Sequence, residues 1–320
     1  MRAFVTGSTG FLGRTLVQEL LACGWEVSAL VRTFERARQL PAGVRAVPGD
    51  ITQPDSLRPG LRGAGAVFHL AAWTQIGVPP REQARMQRIN VEGARHVLTL
   101  AAEAGAERIL HVSDVAVFGD QRAPNGRPPA GAAGGFESYY QTTRAAAHFE
   151  VAAGLQRQGA PVIIAALGAL YGPGDLAGLG RLLRQQLRRR LPVLLGPDNA
   201  RSWTYAADAA QGLRLAVERG RPGETYALAG PAHTLRAVLE AAARLSRAPA
   251  PLIWLPSAAA RSLARLAGRV RPALAERLRA AGGAAYLADP AAAQAALGWS
   301  ARPLAEGLPP TLAWLEEHAP

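Results

Sequence analysis

Three glycines near the start of the chain, Gly7, Gly10 and Gly13, have the spacing of a turn that binds phosphate groups. In such a turn the first glycine allows the tight bend, the second lets a pyrophosphate approach the backbone, and the third lets a helix pack close to a strand. The amides and the positive dipole end of that helix face the phosphates. A glycine-rich loop without a ligand is the alternative, because short motifs also arise by chance.

The residues on either side of the glycines favour the phosphate-binding interpretation. Residues 3–5 form an apolar run that predicts a buried strand, and Leu12, Leu16 and Leu20 recur one helical turn apart. A strand before the glycines and a helix after them is the context in which this motif binds a dinucleotide. We therefore predict a dinucleotide site at this turn.

Two arginines after the second predicted strand bear on which dinucleotide binds. The strand covers residues 26–31, and Arg32 and Arg36 follow it, where a site that selects NAD usually carries an acidic residue. Arginine can hold a 2′-phosphate through two hydrogen bonds and can stack on adenine. The sequence therefore favours NADP over NAD, the alternative being that Arg32 simply faces solvent in an arginine-rich chain.

Residues near other predicted strand ends are further candidates for the cofactor site. Asp50 could accept a hydrogen bond from the adenine amino group, or it could cap a helix. Ala71 and Ala72 are small enough to leave room for the cofactor. Asn90 opens a predicted helix, and its polar side chain could brace the neighbouring strand.

The elements that would position these residues alternate regularly between strand and helix. Predicted strands at 3–5, 26–31, 44–47, 66–70, 108–112 and 161–167 are separated by helical patterns. This order predicts an α/β fold with a doubly wound, Rossmann-type parallel sheet, whose ligands bind at the carboxyl ends of the strands. Ser113 and Asp114 follow such an end. Tyr140 and Arg144, four residues apart on a predicted helix at 139–155, share one face that we expect to cover the site.

The alternation loosens after residue 167, which suggests a boundary between two parts of the chain. We predict a dinucleotide-binding domain at 1–167, to which 203–220 returns, and a smaller lobe at 168–320 that mainly binds substrate. Residues 234–246 and 257–281 have amphipathic helical patterns. The second pattern is rich in arginine and alanine and could face a membrane surface, but packing over the active site is the interpretation we favour.

The composition limits the class of protein and its partners. The 320 residues carry a net charge of +12, and all 36 basic residues are arginine. Because these arginines are dispersed and not interleaved with aromatic residues, we predict an anionic cofactor or substrate and no nucleic acid. The single Cys23 excludes an internal disulfide and fits a reducing compartment. No leader and no apolar stretch of about 18 residues is evident, so we expect a cytoplasmic protein without a membrane span. No metal site is predicted.

Eight short motifs follow one another through almost the whole chain: TGSTGFLG from Thr6, LVR from Leu30, GDI from Gly49, HLAA from His69, NVEG from Asn90, VSDVAVFG from Val112, YGPG from Tyr171 and LGW from Leu297. In this order they resemble the extended short-chain dehydrogenases/reductases, the NAD(P)-dependent epimerase/dehydratase group, and most of all its dihydroflavonol-reductase-like members. The motifs indicate the fold and the cofactor but not the substrate. The full set of expected cofactor contacts is Gly7, Thr9, Gly10, Phe11, Leu12, Gly13, Arg32, Arg36, Asp50, Ile51, Leu70, Ala71, Ala72, Asn90, Val112, Tyr140, Arg144, Leu167 and Leu170.

The resemblance also implies a catalytic set, from which this chain departs at two of three positions. The family uses a serine or threonine, a tyrosine, and a lysine four residues after the tyrosine. The tyrosine matches Tyr140, but Arg144 stands in place of the lysine. Asp114 stands in place of the serine or threonine, with Ser113 just before it. The family's arginine–proline pair in the sixth strand is replaced by Ala166 and Leu167.

The two departures have opposite electrostatic consequences for Tyr140. A free tyrosine has a pKa of about 10, and a nearby cation such as Arg144 lowers it. Arg144 can also donate to a ribose hydroxyl, but it cannot release a proton as lysine does. An ionised Asp114 would raise the pKa of Tyr140, whereas a protonated or arginine-paired Asp114 could orient a hydroxyl. Ser113 could take over if the loop shifts by one residue.

These observations favour an NADP-dependent oxidoreductase that acts on the carbonyl or hydroxyl of a small, sugar-like or anionic substrate, with Tyr140 as the acid or base. An NAD-dependent nucleotide-sugar epimerase or dehydratase is the alternative within the enzyme class. A non-catalytic NAD(P)-binding sensor or scaffold is a third hypothesis, motivated by Asp114 and Arg144. The resemblance also implies a homodimer. The sequence does not identify the substrate or the direction of the reaction.

Overall fold

The structure is a computed structural model that describes residues 1–120 and 136–318. Twelve strands are present in these two ranges: β1 (Arg2–Thr6), β2 (Glu26–Val31), β3 (Arg45–Pro48), β4 (Ala66–His69), β5 (Arg108–Asp114), β6 (Val162–Leu167), β7 (Ala169–Tyr171), β8 (Val193–Leu195), β9 (Ala200–Tyr205), β10 (Thr225–Leu228), β11 (Ala232–Thr234) and β12 (Ile253–Leu255). Seven of them form one parallel sheet with the order β10–β6–β5–β4–β1–β2–β3. The predicted doubly wound parallel sheet is confirmed.

Helices cover both faces of this sheet and extend beyond it. Their bounds are α1 (Phe11–Ala22), α2 (Phe34–Ala37), α3 (Arg58–Leu61), α4 (Pro80–Gln87), α5 (Gly93–Glu103), α6 (Tyr139–Ala146), α7 (Ala153–Arg157), α8 (Gly178–Leu187), α9 (Ala206–Arg219), α10 (Leu235–Ser246), α11 (Ser257–Ala267), α12 (Pro272–Ala281), α13 (Ala291–Leu297) and α14 (Leu304–Glu317). Short π-helical segments at Arg88–Glu92 and Ala147–Ala152 join α4 to α5 and α6 to α7. Single 3₁₀ turns lie at Pro54–Leu57 and Val115–Phe118.

The sheet is buried on both faces, as its sequence pattern requires. All six residues of β6 (VIIAAL) are buried, because a central parallel strand has helices above and below it. One hydrophobic cluster lies between the sheet and the helices α1 and α9, where Leu16, Leu20 and Leu213 are fully buried. A second cluster on the opposite face includes Val97 and Val151. The carboxyl ends of the strands therefore meet at one edge, between two packed layers of helices.

Segments beyond residue 167 contribute to the same core. The helix α9 packs against α1, and β10 pairs with β6 at the edge of the sheet. Trp299 is buried in the first cluster, and its indole nitrogen donates to the carbonyl of Asp208 at 2.7 Å. A third cluster joins α8, α10 and α14 to the three-stranded sheet β11–β9–β7, beside a two-stranded sheet of β12 and β8. The proposed division of the chain at residue 167 remains a prediction.

Three local expectations differ from the observed elements. The pattern at 257–281 is interrupted, because Gly268 and Pro272 separate α11 from α12; proline begins a new helix and disfavours helical backbone in the residue before it. The helix predicted at 139–155 is divided by the π-helical segment Ala147–Ala152 into α6 and α7. Asn90, expected to open a helix, lies instead in the π-helical segment that joins α4, which begins at Pro80, to α5. In the described ranges, no helix is long and apolar enough to cross a bilayer.

Candidate active site

The glycine turn lies between β1 and α1, and its geometry fits a pyrophosphate. Gly7 has a φ of 75°, and a Cβ at this position would lie 2.7 Å from the backbone nitrogen of Ala71. A Cβ on Gly13 would lie 2.0 Å from the carbonyl oxygen of Gly7, so neither residue can carry a side chain. The space over Gly10 is open apart from that same carbonyl at 3.3 Å. No side chain caps α1, which leaves the amides from Phe11 onward to bind an anion.

The other expected cofactor contacts lie along the same edge of the sheet. Leu70, Ala71 and Ala72 directly follow β4, Val112 and Leu167 are near the ends of β5 and β6, and Leu170 is in β7. Thr9 and Leu12 belong to the glycine turn and to the start of α1. In the sheet, β1 lies between β2 and β4. The chain therefore crosses from one side of β1 to the other, and the glycine turn lies at this crossover. This crossover point is where open α/β sheets bind their ligands.

The residues expected around the adenosine lie at the ends of β2 and β3. Arg32 and Arg36 are both exposed. The carboxylate of Asp50 accepts hydrogen bonds from the amide and from the hydroxyl of Thr52, both at 2.8 Å, so it closes a local turn. Ile51 is buried beneath this turn. The structure therefore leaves the two guanidinium groups available to a ligand and engages Asp50 within its own loop.

Asn90 connects the loop after β4 to the helix that carries Tyr140. Its side-chain oxygen accepts from the amide of Trp73 at 2.7 Å, and its amide group donates to the carbonyl of Trp73 at 3.0 Å. The same amide group donates to the hydroxyl of Thr143 at 2.9 Å. Because Asn90 is buried and both of its amide protons are engaged, its role in the structure is to brace these elements.

Tyr140 and Asp114 meet at the carboxyl end of β5. The hydroxyl of Tyr140 donates to Oδ2 of Asp114 at 3.0 Å, while Oδ1 of Asp114 accepts from the amide of Ala116 at 2.7 Å. Tyr140 lies in the first turn of α6, which begins with a capping box formed by Ser138 and Gln141. The amide of Ala116 thus fixes the carboxylate of Asp114, and the capped first turn of α6 fixes the position of Tyr140.

The surroundings of Tyr140 keep its hydroxyl protonated. Burial raises the pKa of Tyr140 well above its usual value, and the adjacent carboxylate of Asp114 raises it further. The positive charge of Arg144 acts in the opposite direction but does not outweigh these two effects. Arg144 itself is buried, and its guanidinium donates to the carbonyl of Val112. The structure therefore directs Arg144 towards the end of β5.

Three buried histidines lie within reach of the charge of Arg144. His69 and His111 stack with their ring centroids 5.5 Å apart, and His148 shares a 2.8 Å hydrogen bond with the hydroxyl of Ser113. Burial, together with the charge of Arg144, lowers the pKa of His69 to about 3 and that of His148 to about 4. These side chains are therefore neutral at physiological pH. Because its hydroxyl is engaged by His148, Ser113 is not brought to Tyr140.

Two residues from the second half of the chain reach the site without any signal in the sequence. Arg201 in β9 has its guanidinium carbon 6.0 Å from the ring centroid of Tyr286, and its charge interacts with that of Asp114. The hydroxyl of Tyr286 accepts a hydrogen bond from the side-chain amide nitrogen of Gln141 at 2.6 Å. Ser202 and Tyr286 are joined by a backbone hydrogen bond of 3.0 Å. No local motif marks Arg201 or Tyr286, because only the packing of β9 against the segment before α13 brings them here.

Glu276 in α12 is a third residue without a sequence signal. Its Oε1 accepts from the backbone amide of Gly77 at 3.1 Å and from that of Tyr139 at 3.0 Å. The side chain is buried, so these amides replace water around the carboxyl group. This contact ties α12 to the loop after β4 and to the first residue of α6.

The parallel sheet, the glycine turn and a tyrosine held over the carboxyl ends of the strands define an NAD(P)-dependent enzyme of the extended short-chain dehydrogenase/reductase class. Comparison with known proteins names the family: residues 3–229 match the model of the NAD dependent epimerase/dehydratase family, to which the chain belongs. Members related to this chain include NAD(P)-dependent oxidoreductases, epimerases and dehydratases.

Individual relatives cover nearly the whole chain. The sequence is 32% identical over 292 residues to a 4-hydroxy-2-methyl-3-oxo-4-farnesyl-3,4-dihydroquinoline-1-oxide ketoreductase of Stigmatella aurantiaca, covering 88% of this chain and 84% of the relative. Among solved structures, gox2253 has a TM-score of 0.87 at 25% identity and covers 99% of this chain and 98% of its own. DesIV, a dTDP-glucose 4,6-dehydratase of Streptomyces venezuelae solved with NAD bound, has a TM-score of 0.81 at 25% identity, with the same coverage.

Proposed function

We propose that the protein is an NADP-dependent reductase that converts a ketone into an alcohol. The observation that carries this proposal is the protonated hydroxyl of Tyr140, held by Asp114 at 3.0 Å over the carboxyl end of β5. A tyrosine whose pKa is raised is a poor base at neutral pH, but it can still protonate the much more basic oxygen that develops as a ketone is reduced. The geometry thus favours reduction over oxidation.

The residues of the site divide the work of this reaction. NADPH, when bound along the glycine turn, would supply a hydride for the carbonyl carbon. Tyr140 gives its proton to the carbonyl oxygen and becomes a tyrosinate, which the positive charge of Arg144 stabilises. Asp114 orients the hydroxyl of Tyr140 before the transfer. Trp73 and Thr74, in the loop that Asn90 braces, form the opposite wall of the substrate site in this proposal.

The preference for NADP rests on the end of β2. Arg32 follows the last residue of the strand directly and is exposed, so its guanidinium is free to turn towards a 2′-phosphate. A two-pronged, charge-assisted pair of hydrogen bonds contributes about 1.5–3 kcal/mol, which is about 10- to 100-fold in affinity. A ketone as substrate is supported by the Stigmatella relative, whose name describes a ketoreductase.

A nucleotide-sugar epimerase or dehydratase that retains NAD is the second candidate. The specific observation in its favour is Arg201, a half-buried cation whose charge reaches Asp114 and which could face an anionic substrate. The similarity to DesIV, a dTDP-glucose 4,6-dehydratase with bound NAD, supports the same candidate.

A side-by-side titration of the purified protein with NADPH and NADH separates these functions, after any cofactor carried through purification has been identified. We expect tighter binding of NADPH, and an about 10- to 100-fold loss of that preference in Arg32→Ala. Retained NAD would favour the epimerase or dehydratase. Failure to bind either dinucleotide would contradict both candidates.

The role of Tyr140 is tested in the NADPH-dependent reduction of a panel of ketones. Tyr140→Phe should lower the rate about 10²- to 10⁴-fold, the usual contribution of a positioned proton donor, with cofactor binding unchanged. The matched control is Tyr139→Phe, one residue earlier on the same helix. Equal rates for the two variants would contradict the assignment of Tyr140.

A further inference from the structure

The helices α11 and α12 form a helical hairpin whose outer surface has no partner in the described part of the chain. The two helices pack on each other through small residues, among which Ala260, Ala264 and Ala275 are buried. Four residues connect them, 268–271. We call residues 265–271, the last turn of α11 and this connection, the hairpin tip.

The hairpin tip exposes large apolar side chains. Leu266 is 78% exposed and Val270 is 81% exposed, and Leu263 lies one helical turn before Leu266 on the same face of α11. Leu274, near the start of α12, is exposed as well. Apolar side chains scattered singly over a surface are ordinary, but a group of them at the end of one protruding element indicates an interaction surface.

The same hairpin carries a concentrated positive charge. Six arginines lie between residues 257 and 281, all of them exposed, against one acidic residue, Glu276, which is buried on backbone amides. Arg265, Arg269 and Arg271 alternate with the apolar residues of the tip. Within residues 1–120 and 136–318, none of these three forms an ion pair. The tip therefore presents apolar groups and unpaired cations together.

A cleft of about 300 Å³ lies beneath the hairpin and continues this charge. It is lined by Arg261, Arg265 and Arg279, with Glu137 as the single acidic residue. Burial raises the pKa of Glu137, and Arg279 and Arg261 oppose that effect, which shows that their charges act on this one carboxyl group. Three cations against one carboxylate leave the cleft suited to a phosphate-bearing headgroup.

We propose that the hairpin tip docks the protein on the surface of a bilayer that contains anionic phospholipids. Apolar residues at the tip would enter the boundary between headgroups and acyl chains, and the surrounding arginines would contact lipid phosphates. This combination favours a membrane over nucleic acid, because nucleic acid offers phosphates but gives Leu266 and Val270 nothing to bury into. It favours a membrane over a second copy of this chain, because two tips of equal positive charge repel each other.

The position of the hairpin connects this surface to the active site. Glu276 binds the amide of Tyr139, the residue before Tyr140, and Arg277 donates to the carbonyl of Ile76 at 3.4 Å in the loop after β4. The base of the hairpin thus rests on two walls of the proposed substrate site. A protein docked in this way would receive a ketone dissolved in the lipid, an extension that rests on the proposed function.

Co-sedimentation of the whole protein with vesicles tests the docking without substrate or cofactor. The probes are vesicles of phosphatidylcholine alone and of equal parts phosphatidylcholine and phosphatidylglycerol. We expect binding to the anionic vesicles only, weakened about tenfold or more in Leu266→Gln/Val270→Thr, since burial of either side chain contributes about that factor. The matched control replaces two equally apolar, half-exposed residues elsewhere, Leu176→Gln/Leu245→Thr, and should bind like the unchanged protein.

The charge contribution is measured with two triple variants of equal net charge. Replacing the three tip arginines by glutamine should weaken binding about fivefold per arginine. The control triple variant replaces exposed arginines outside the hairpin: Arg38, Arg62 and Arg81. Equal losses in both triples would show attraction by the overall charge and overturn the proposal.

Three other results would also overturn it. The first is no binding to either kind of vesicle, and the second is binding that Leu266→Gln/Val270→Thr leaves unchanged. The third is self-association that this double variant abolishes in analytical ultracentrifugation, which would make a second copy of the chain the occupant of the tip. Because Leu266 and Val270 are largely exposed, their replacement should leave the thermal unfolding of the protein unchanged.

Discussion

The contact between Asp114 and Tyr140 makes a quantitative prediction for Asp114→Asn. The substitution removes the negative charge but keeps the shape of the side chain. Asparagine caps a helical turn as well as aspartate, so the hydrogen bond from the amide of Ala116 survives. Asparagine has only one side-chain oxygen, so its amide nitrogen takes the place of Oδ2 and donates to the hydroxyl oxygen of Tyr140. The variant therefore removes the negative charge and replaces an acceptor by a donor, and both changes favour the ionised form of Tyr140.

The size of the effect follows from the 3.0 Å distance between the two oxygens. Two unit charges at this separation interact with about 5–6 kcal/mol at an effective dielectric constant of ~20. This is an upper value, because Tyr140 is only partly buried and because Arg144 and Arg201 lie near the same pair. Adjacent charges usually shift a pKa by about 1–3 units. We expect Asp114→Asn to lower the pKa of Tyr140 by that amount.

The assay is the ultraviolet absorbance of tyrosinate, recorded against pH for the Asp114→Asn variant. Because the chain has six tyrosines, the curve of Asp114→Asn/Tyr140→Phe is subtracted to isolate Tyr140. Asp55→Asn, which removes an exposed carboxylate, is the control and should leave the titration of Tyr140 unchanged. If Tyr140 titrates at the same pH with aspartate and with asparagine at position 114, the electrostatic reasoning is refuted.

Two further predictions concern stability. The pKa of His148 is about 4 in the folded state and about 6.5 in the unfolded chain, so the folded state binds fewer protons and its stability falls as the pH drops through this window. We expect a loss of about 2 kcal/mol between pH 7 and pH 5 from this residue, measured by urea unfolding and abolished in His148→Gln but not in the exposed His318→Gln. Glu276→Ala should lower the free energy of unfolding by about 1–3 kcal/mol, because the amides of Gly77 and Tyr139 lose their acceptor, whereas Glu276→Gln keeps an oxygen there and should lose less. Equal losses in the two Glu276 variants would contradict this account.

Features that depend on neighbours in sequence were predictable from the chain alone. The glycine turn with its strand and helix is local, because each glycine is required by contacts within about ten residues or by the adjacent strand end. The continuous apolar run of β6 indicates a strand buried on both faces. The four-residue spacing of Tyr140 and Arg144 places them on one helix face wherever that helix packs. The fold class and the cofactor class follow from such features.

The partner of a side chain is not predictable from the sequence where it depends on which side of an element faces the site. Ser113 and Asp114 are adjacent, and the pleat of β5 directs them to opposite faces, so the hydroxyl of Ser113 meets His148 while Asp114 meets Tyr140. The guanidinium of Arg144 donates to the carbonyl of Val112, a partner that its sequence neighbours do not indicate, and its expected contact with the cofactor remains a prediction. Pleat and helix rotation decide these partners.

The sequence by itself determined the alternation of strands and helices, the phosphate-binding turn and the position of the tyrosine. These depend on local backbone preferences and on apolar periodicity, which act over a few residues. Only the tertiary structure decided that Arg201, Tyr286 and Glu276 complete the site, because strands and helices far along the chain deliver them. A contact between distant residues is fixed by the packing of whole elements, and that packing leaves no mark on the residues beside each partner in the sequence.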